Sequence, residues 1–153
     1  MGMNTTLARP LATQSHTEVR PYAGHHHARY IEPDVPLHVI ARVFQGRHML
    51  TPTAQLTDLV NGIIGHALDL YPSIELYAFA VLTNHAHFML SGAPDQVSGF
   101  LGFVKREISR RWGRLIGWPG TMWHGSSVTA LPTAQSQERC LEYILSQGVK
   151  EHL

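Results

Sequence analysis

The stretch IELYAFAVLTNHAHFML, residues 74–90, decides how this chain folds. Ile74 to Leu82 is a nearly continuous apolar run, which reads as a buried strand. Thr83 and Asn84 supply a turn, and His85 to Leu90 runs back as an antiparallel partner. Side chains alternate across a strand, so His85, His87 and Met89 share one face while Ala86, Phe88 and Leu90 share the other. Two imidazoles two residues apart sit about 7 Å apart at their Cα atoms. Both can turn onto one divalent cation, and such an ion polarises a phosphate oxygen. A His-x-His pair is generic by itself, so its meaning depends on what surrounds it.

Upstream, Leu37 to Phe44 (LHVIARVF) is apolar and β-branched and ends at Gln45-Gly46-Arg47, which makes it the first strand. Pro52 and Thr53 open a helix whose Leu56, Leu59, Val60, Ile63, Ile64, Ala67, Leu68 and Tyr71 fall on one stripe; Pro72 ends it. No polar residue in that stripe points to chemistry. Downstream, Gly92, Ala93 and Pro94 break the hairpin, and Asp95 is placed to cap a second helix. Its apolar stripe is Val97, Leu101, Val104, Ile108, Trp112 and Leu115. Lys105, Arg106, Arg110, Arg111 and Arg114 lie elsewhere on it, against one acid, Glu107, so the local field is expected to be positive. Met122 to Leu131 forms a further strand. Pro132 precedes a last helix, Ala134 to Gln147, with Gly148 as its C-terminal cap. The order is strand, helix, strand, strand, helix, strand, helix. The first six elements give an α+β, ferredoxin-like βαββαβ sandwich with an antiparallel sheet, and the last is an added C-terminal helix.

Composition sets the bounds. The chain has 153 residues, of which 44% are hydrophobic, enough for a single domain with a real core. Residues 1–28 lack periodicity and read as a mobile leader, with the His25-His26-His27 tract as a solvated part of it; the domain is expected over 29–153. A net charge of +1 does not by itself indicate nucleic-acid binding, which leaves the clustering of charge as the informative feature. The single cysteine, Cys140, excludes an internal disulfide and fits a reducing, cytoplasmic setting. No apolar run is long enough for a membrane span, and no secretory signal pattern stands at the N-terminus.

The last helix carries Tyr143-Ile144-Leu145-Ser146-Gln147. Tyr143 and Gln147 are four apart and lie one above the other. If this helix crosses the sheet on the His85/His87 side, a phenol and an amide oxygen converge on the histidine pair. The blander reading makes Tyr143 the rim of an apolar stripe of Leu141, Ile144 and Leu145.

Asn-His-x-His followed by apolar residues, a basic helix, Trp123-His124-Gly125, and Tyr143-Ile-x-x-Gln147 together resemble the single-tyrosine transposases of the HUH endonuclease class. The likeness is strongest to the REP-associated tyrosine transposases and runs from about Arg29 to Leu153. The resemblance implies metal-dependent nicking and strand transfer on single-stranded or hairpin DNA, through a 5′-phosphotyrosine intermediate. Position by position, it makes Tyr143 the nucleophile and His85 and His87 ligands of Mg²⁺ or Mn²⁺. Gln147 becomes a third ligand, where REP-associated members usually carry Asn. Arg47 matches a basic position at the end of the first strand. Lys105, Arg106, Arg110, Arg111 and Arg114 would hold the DNA backbone, and Trp112 or Trp118 would stack on an unpaired base. A homodimer is compatible with the resemblance. Departures are Ala86 in place of a bulkier residue, Ser126 where many relatives have Arg, and Gln147-Gly148-Val149 in place of Asn-Pro-Val. The chain also stops at Leu153, where relatives usually continue, as a truncated reading frame or a fragment would.

The chemistry suits the residues. A tyrosine oxygen can attack phosphorus and stay attached, conserving the bond for later rejoining. A phenol in water is mostly protonated at neutral pH, and a nearby cation favours the phenolate. Two imidazoles and an amide form a neutral ligand set that leaves the cation its full charge. Two rivals compete with the enzyme reading. One is a domesticated, non-catalytic binder of hairpin DNA. The other is a ferredoxin-like small-molecule or metal-binding domain.

Overall fold

The computed structural model describes residues 32–150; the expected leader over 1–28, with its histidine tract, lies outside the described residues. The elements are β1 (Leu37–Val43), α1 (Ala54–Leu70), β2 (Glu75–Val81), β3 (His85–Ser91), α2 (Pro94–Leu115), β4 (Trp123–Ala130) and α3 (Ala134–Lys150), with a short 3-10 turn at Phe44–Gly46 after β1. The four strands form one antiparallel sheet in the order β2-β3-β1-β4. This is the expected ferredoxin-like sandwich with an added C-terminal helix. Among the described residues no helix is long and apolar enough to cross a membrane.

The alternation in β1 and β3 builds two faces. Leu37, Val39, Ala41, Val43, Ala86, Phe88 and Leu90 point to one side, where α1 and α2 pack as the main core with Leu56, Val60, Ile63, Ile64, Val97, Phe100, Val104 and Ile108. The other side carries His38, Ile40 and Arg42, paired in register with Met89, His87 and His85. Helix α3 crosses this second face over β2 and β3. Ile144 and Cys140 pack there against Met89, Leu131, Ala78 and Ala80.

Several sequence expectations change in detail. β2, expected as a buried strand, is an edge of the sheet paired with β3 alone, and its residues are half-buried or exposed. Its unbroken apolarity reflects cover on both faces: Leu76, Phe79 and Val81 meet the main core, and Ala78 and Ala80 meet α3. A register shift between Leu76 and Ala78 leaves Tyr77 46% exposed, its hydroxyl tied to Glu75 and Ser91 at 2.8 Å. Asp95 does not cap α2. Ala93 holds that position without a side-chain bond, Pro94 opens the helix and Asp95 sits in its first turn. Leu115 leaves the apolar stripe and is exposed, while Phe100 joins it. Gly148 does not end α3, which continues to Lys150 because nothing in the backbone requires a left-handed turn there.

The helix starts follow the sequence more closely. Thr53 caps α1 by accepting from the Leu56 N–H at 3.1 Å. At the head of α3, Thr133 accepts from the Ser136 N–H at 3.1 Å and its own N–H donates to the Ser136 hydroxyl at 3.2 Å. This reciprocal pair fixes where α3 begins and therefore the rotation at which Tyr143 arrives. Gly92 closes β3 with φ of 150°; any Cβ there would stand 2.6 Å from the Ser73 carbonyl oxygen.

Ile144 holds α3 to the sheet, so Ile144→Ala is expected to destabilise the fold by about 2–5 kcal/mol, the usual cost of truncating a buried aliphatic side chain. Amide exchange in α3 should accelerate before exchange in β1 does. Unchanged protection of α3 in that variant would contradict the role given to this contact.

Candidate active site

An open cleft of about 590 Å³ lies on the α3 side of the sheet. Its walls include Arg42, Gln45, Asn84, His85, His87, His124 and Tyr143. β3 contributes the two histidines on one face, as the alternation requires. The His85 and His87 rings meet edge to face with centroids 4.8 Å apart. Helix α3 brings the Tyr143 ring edge-on to His87 at 5.4 Å. Residues 85, 87 and 143 thus meet because α3 crosses the sheet on the histidine side, with Tyr143 42% exposed.

The neighbours of the two imidazoles set their chemistry. His85 Nδ1 lies 2.6 Å from the Asn84 side-chain oxygen. An amide oxygen only accepts, so His85 donates from Nδ1. His87 is 1% exposed, and its Nδ1 lies 3.0 Å from Nε2 of His38 on β1. His87 Nε2 is buried and has no hydrogen-bond partner. Burial first, then repulsion from His85, His38 and Arg42, lowers the His87 pKa to about 4. Burial also lowers that of His38. His87 is therefore neutral at physiological pH, the form that ligates a metal.

These features fit a divalent cation. The buried His87 Nε2 has no hydrogen-bond partner, and the His85 ring beside it is oriented by Asn84, a donor set of the kind that holds a metal. Gln147, the expected third ligand, is placed differently. It is buried beneath the helix, its amide nitrogen donating to the Tyr143 carbonyl at 3.1 Å, and it does not line the cleft. Among the described residues no three His, Cys, Asp or Glu side chains gather into a cation cage.

The basic residues are spread out. α2 packs on the opposite face of the sheet from the cleft, so Lys105, Arg106, Arg110, Arg111 and Arg114 stand behind the histidines. Glu107, buried on the same helix, binds Arg110 at 2.6 Å and Arg111 at 3.0 Å. Hydrogen bonding from Arg110 holds the Glu107 carboxyl down to about 2 against the opposing effect of burial. The positive field expected of this helix is reduced accordingly. Lys105 donates to the Ser126 hydroxyl at 3.2 Å, and the Arg106 guanidinium lies over the Phe103 ring at 5.5 Å. Trp112 is buried, with its indole N–H on the Met49 carbonyl at 2.7 Å, so it cannot stack on a base. Trp118 is half-buried under the Arg47 guanidinium, 4.9 Å from its ring centroid.

Sequence reasoning misses His38, Arg42 and His124. The signal for the first two is the alternation LHVIARV, which places His38, Ile40 and Arg42 on the face opposite the core. It also misses Gln45, whose φ of 55° is a left-handed conformation costly for a residue with a side chain. That turn sits at the rim of the cleft, next to Gly46 at φ 65°.

Comparison with known structures finds the same fold. A REP-associated tyrosine transposase bound to a REP hairpin superposes with a TM-score of 0.61, at 18% identity over 83% of this chain and 74% of that one. The chain has the fold of a tyrosine transposase. A Deinococcus radiodurans protein inferred to be a transposase superposes with a TM-score of 0.51, at 19% identity over 82% of this chain and 98% of that one. No protein-family profile and no curated protein sequence matches the chain.

The His87 environment has a consequence for stability. Its pKa is about 4 when folded and about 6.5 when unfolded, so the unfolded chain takes up the proton first as pH falls. The contribution of neutral His87 is full above 6.5 and is lost as pH falls through 4. Metal-free protein should lose melting temperature across that window more steeply than His87→Ala does. Parallel curves would show that His87 is not held neutral.

Proposed function

We propose that this chain is a metal-dependent DNA-nicking and strand-transferring enzyme acting on single-stranded or hairpin DNA, with Tyr143 as the nucleophile. The observation that carries the reading is the Tyr143 ring set edge-on to buried His87, at the mouth of a cleft, in a tyrosine-transposase fold. The structural neighbour holds a REP hairpin, which supports hairpin DNA as the ligand class.

In this reading Tyr143 attacks phosphorus through its side-chain oxygen. The bond to the 3′ oxygen breaks, that oxygen takes up a proton and leaves as a hydroxyl, and the 5′-phosphate remains esterified to Tyr143. The proton that the phenol gives up balances the one the leaving oxygen gains. His85 and His87 would hold Mg²⁺ or Mn²⁺, which when bound supplies positive charge to a phosphate oxygen. Arg42, exposed on the strand face beside His85, is placed to meet the strand backbone at the cleft. Gln147 would have to turn from the Tyr143 carbonyl to act as a ligand. That position favours one alternative, a chain of this fold that binds hairpin DNA without cutting it.

Tyr143→Phe should remove cleavage while leaving hairpin and Mn²⁺ binding intact, with a stability change within about 0.5 kcal/mol for so exposed a side chain. His85→Ala or His87→Ala should abolish Mn²⁺-dependent cleavage in a folded protein. Mass spectrometry of a trapped reaction should place the DNA phosphate on Tyr143. Hairpin retention by wild-type protein with no cleavage under any divalent cation would establish the non-catalytic alternative.

The role of the basic helix is separable. Replacing Arg106, Arg110 and Arg114 with Gln should lower the slope of log affinity against log salt by about 0.7–0.9 for each phosphate that is no longer neutralised. An unchanged slope would mean that these charges only solvate the back of the sheet.

A further inference from the structure

We infer that His38 is a positioning residue that fixes the tautomer of His87, keeping the lone pair of His87 on Nε2, where a divalent cation can take it. The inference rests on the metal reading of His85 and His87 above and adds a residue that neither the sequence motif nor the fold comparison assigns.

The geometry leaves few alternatives. His38 and His87 lie on neighbouring strands, and their rings are 5.2 Å apart and 21° from parallel. One nitrogen of each faces the other at 3.0 Å. Two neutral imidazoles in hydrogen-bond contact share one proton between those nitrogens. If His38 Nε2 carries it, His87 must carry its own proton on Nε2, and a buried N–H is left with no acceptor. If His87 Nδ1 carries it, His87 Nε2 is a bare lone pair. Buried donors without acceptors are rare and costly, whereas a bare acceptor beside a cation site is what a ligand requires. The second arrangement is therefore the favoured one, and it puts the remaining His38 proton on Nδ1 of a half-buried ring.

The same logic runs through both ligands. Asn84 accepts from His85 Nδ1, and His38 accepts from His87 Nδ1. His87 then presents its unpartnered Nε2. His38 is also held by its surroundings: it stands edge-on to the Tyr143 ring at 6.2 Å, so His87 and Tyr143 share one neighbour. Its place on β1 is set by register with Met89 and Thr129, so it does not depend on a flexible loop.

The test uses the full chain. In metal-free wild-type protein at neutral pH, long-range proton–nitrogen correlation spectra should show His87 with an unprotonated Nε2. His38→Phe keeps an aromatic ring against His87 but removes the acceptor. In that variant His87 should shift to the Nε2–H form, and its Mn²⁺ dissociation constant, measured by electron paramagnetic resonance, should rise about 10–100-fold. His38→Gln offers an amide oxygen to the same Nδ1–H and should recover most of the affinity and the wild-type tautomer. A purely space-filling role would instead be rescued by Phe and not by Gln. An Nε2–H His87 in wild-type protein, or Mn²⁺ affinity in His38→Phe equal to wild type, would overturn the inference. Wild-type protein that binds no Mn²⁺ would instead overturn the metal reading of the histidine pair, while the tautomer spectra still decide what His38 does.

Discussion

The site exists because α3 is pinned to the second face of the sheet by a small apolar contact. Ile144 and Cys140 meet Met89, Ala78, Ala80 and Leu131. Burial of an aliphatic side chain contributes about 1.5–3 kcal/mol, whereas an edge-to-face ring contact adds about 0.5–1.5 kcal/mol. The docking is therefore driven by Ile144, and Tyr143, its neighbour in sequence, is carried into position. The two alanines of β2 matter as much as the isoleucine. Ala80 is paired with His87, and larger side chains on that face would push the helix away from the imidazole. β2 thus shows Leu76, Phe79 and Val81 to the main core and the two alanines to α3.

Much of this is legible in the sequence, because two periodicities carry it. The helical stripes and the strand alternation give the βαββαβ order, the added helix, and the shared face of His85 and His87. The spacing of Tyr143 and Gln147 gives a common helix face but not which rotamer each adopts, so Gln147 can bond its own helix instead of the cleft. β2 reads as a buried strand because both its faces meet apolar partners, but an apolar run does not say how many strands pair with it, and as an edge it stays half-buried. Gly148 reads as a cap because glycine permits a left-handed turn, but permission does not impose one. Residue type suggests Trp112 for base stacking, whereas its place on the apolar stripe is what buries it. His38 and Arg42 hide in a strand that reads as apolar, since two polar residues in seven do not disturb a hydrophobicity average.

Charge is arranged with similar economy. The helix richest in arginine lies behind the sheet, and its one buried acid occupies two of those arginines. In the cleft itself, the neutral His87 imidazole lies near Arg42. A cleft whose lining includes an exposed guanidinium and no carboxylate can accept an anion without first expelling a resident counter-charge. The turn at Gln45 and Gly46, tied to the start of β3 by the bond between the Val43 N–H and the Asn84 carbonyl at 2.9 Å, forms the rim across which such an anion would pass.

The single cysteine offers an unplanned experimental handle. Cys140 is buried in the contact that holds α3 down, and burial raises its thiol pKa, so in the docked state it is both shielded and poorly ionised. A maleimide or disulfide reagent can reach it only when the helix lifts. With one thiol in the chain, the rate of modification reports how often α3 departs from the sheet, and any ligand that closes the cleft would slow that chemistry without touching sulfur.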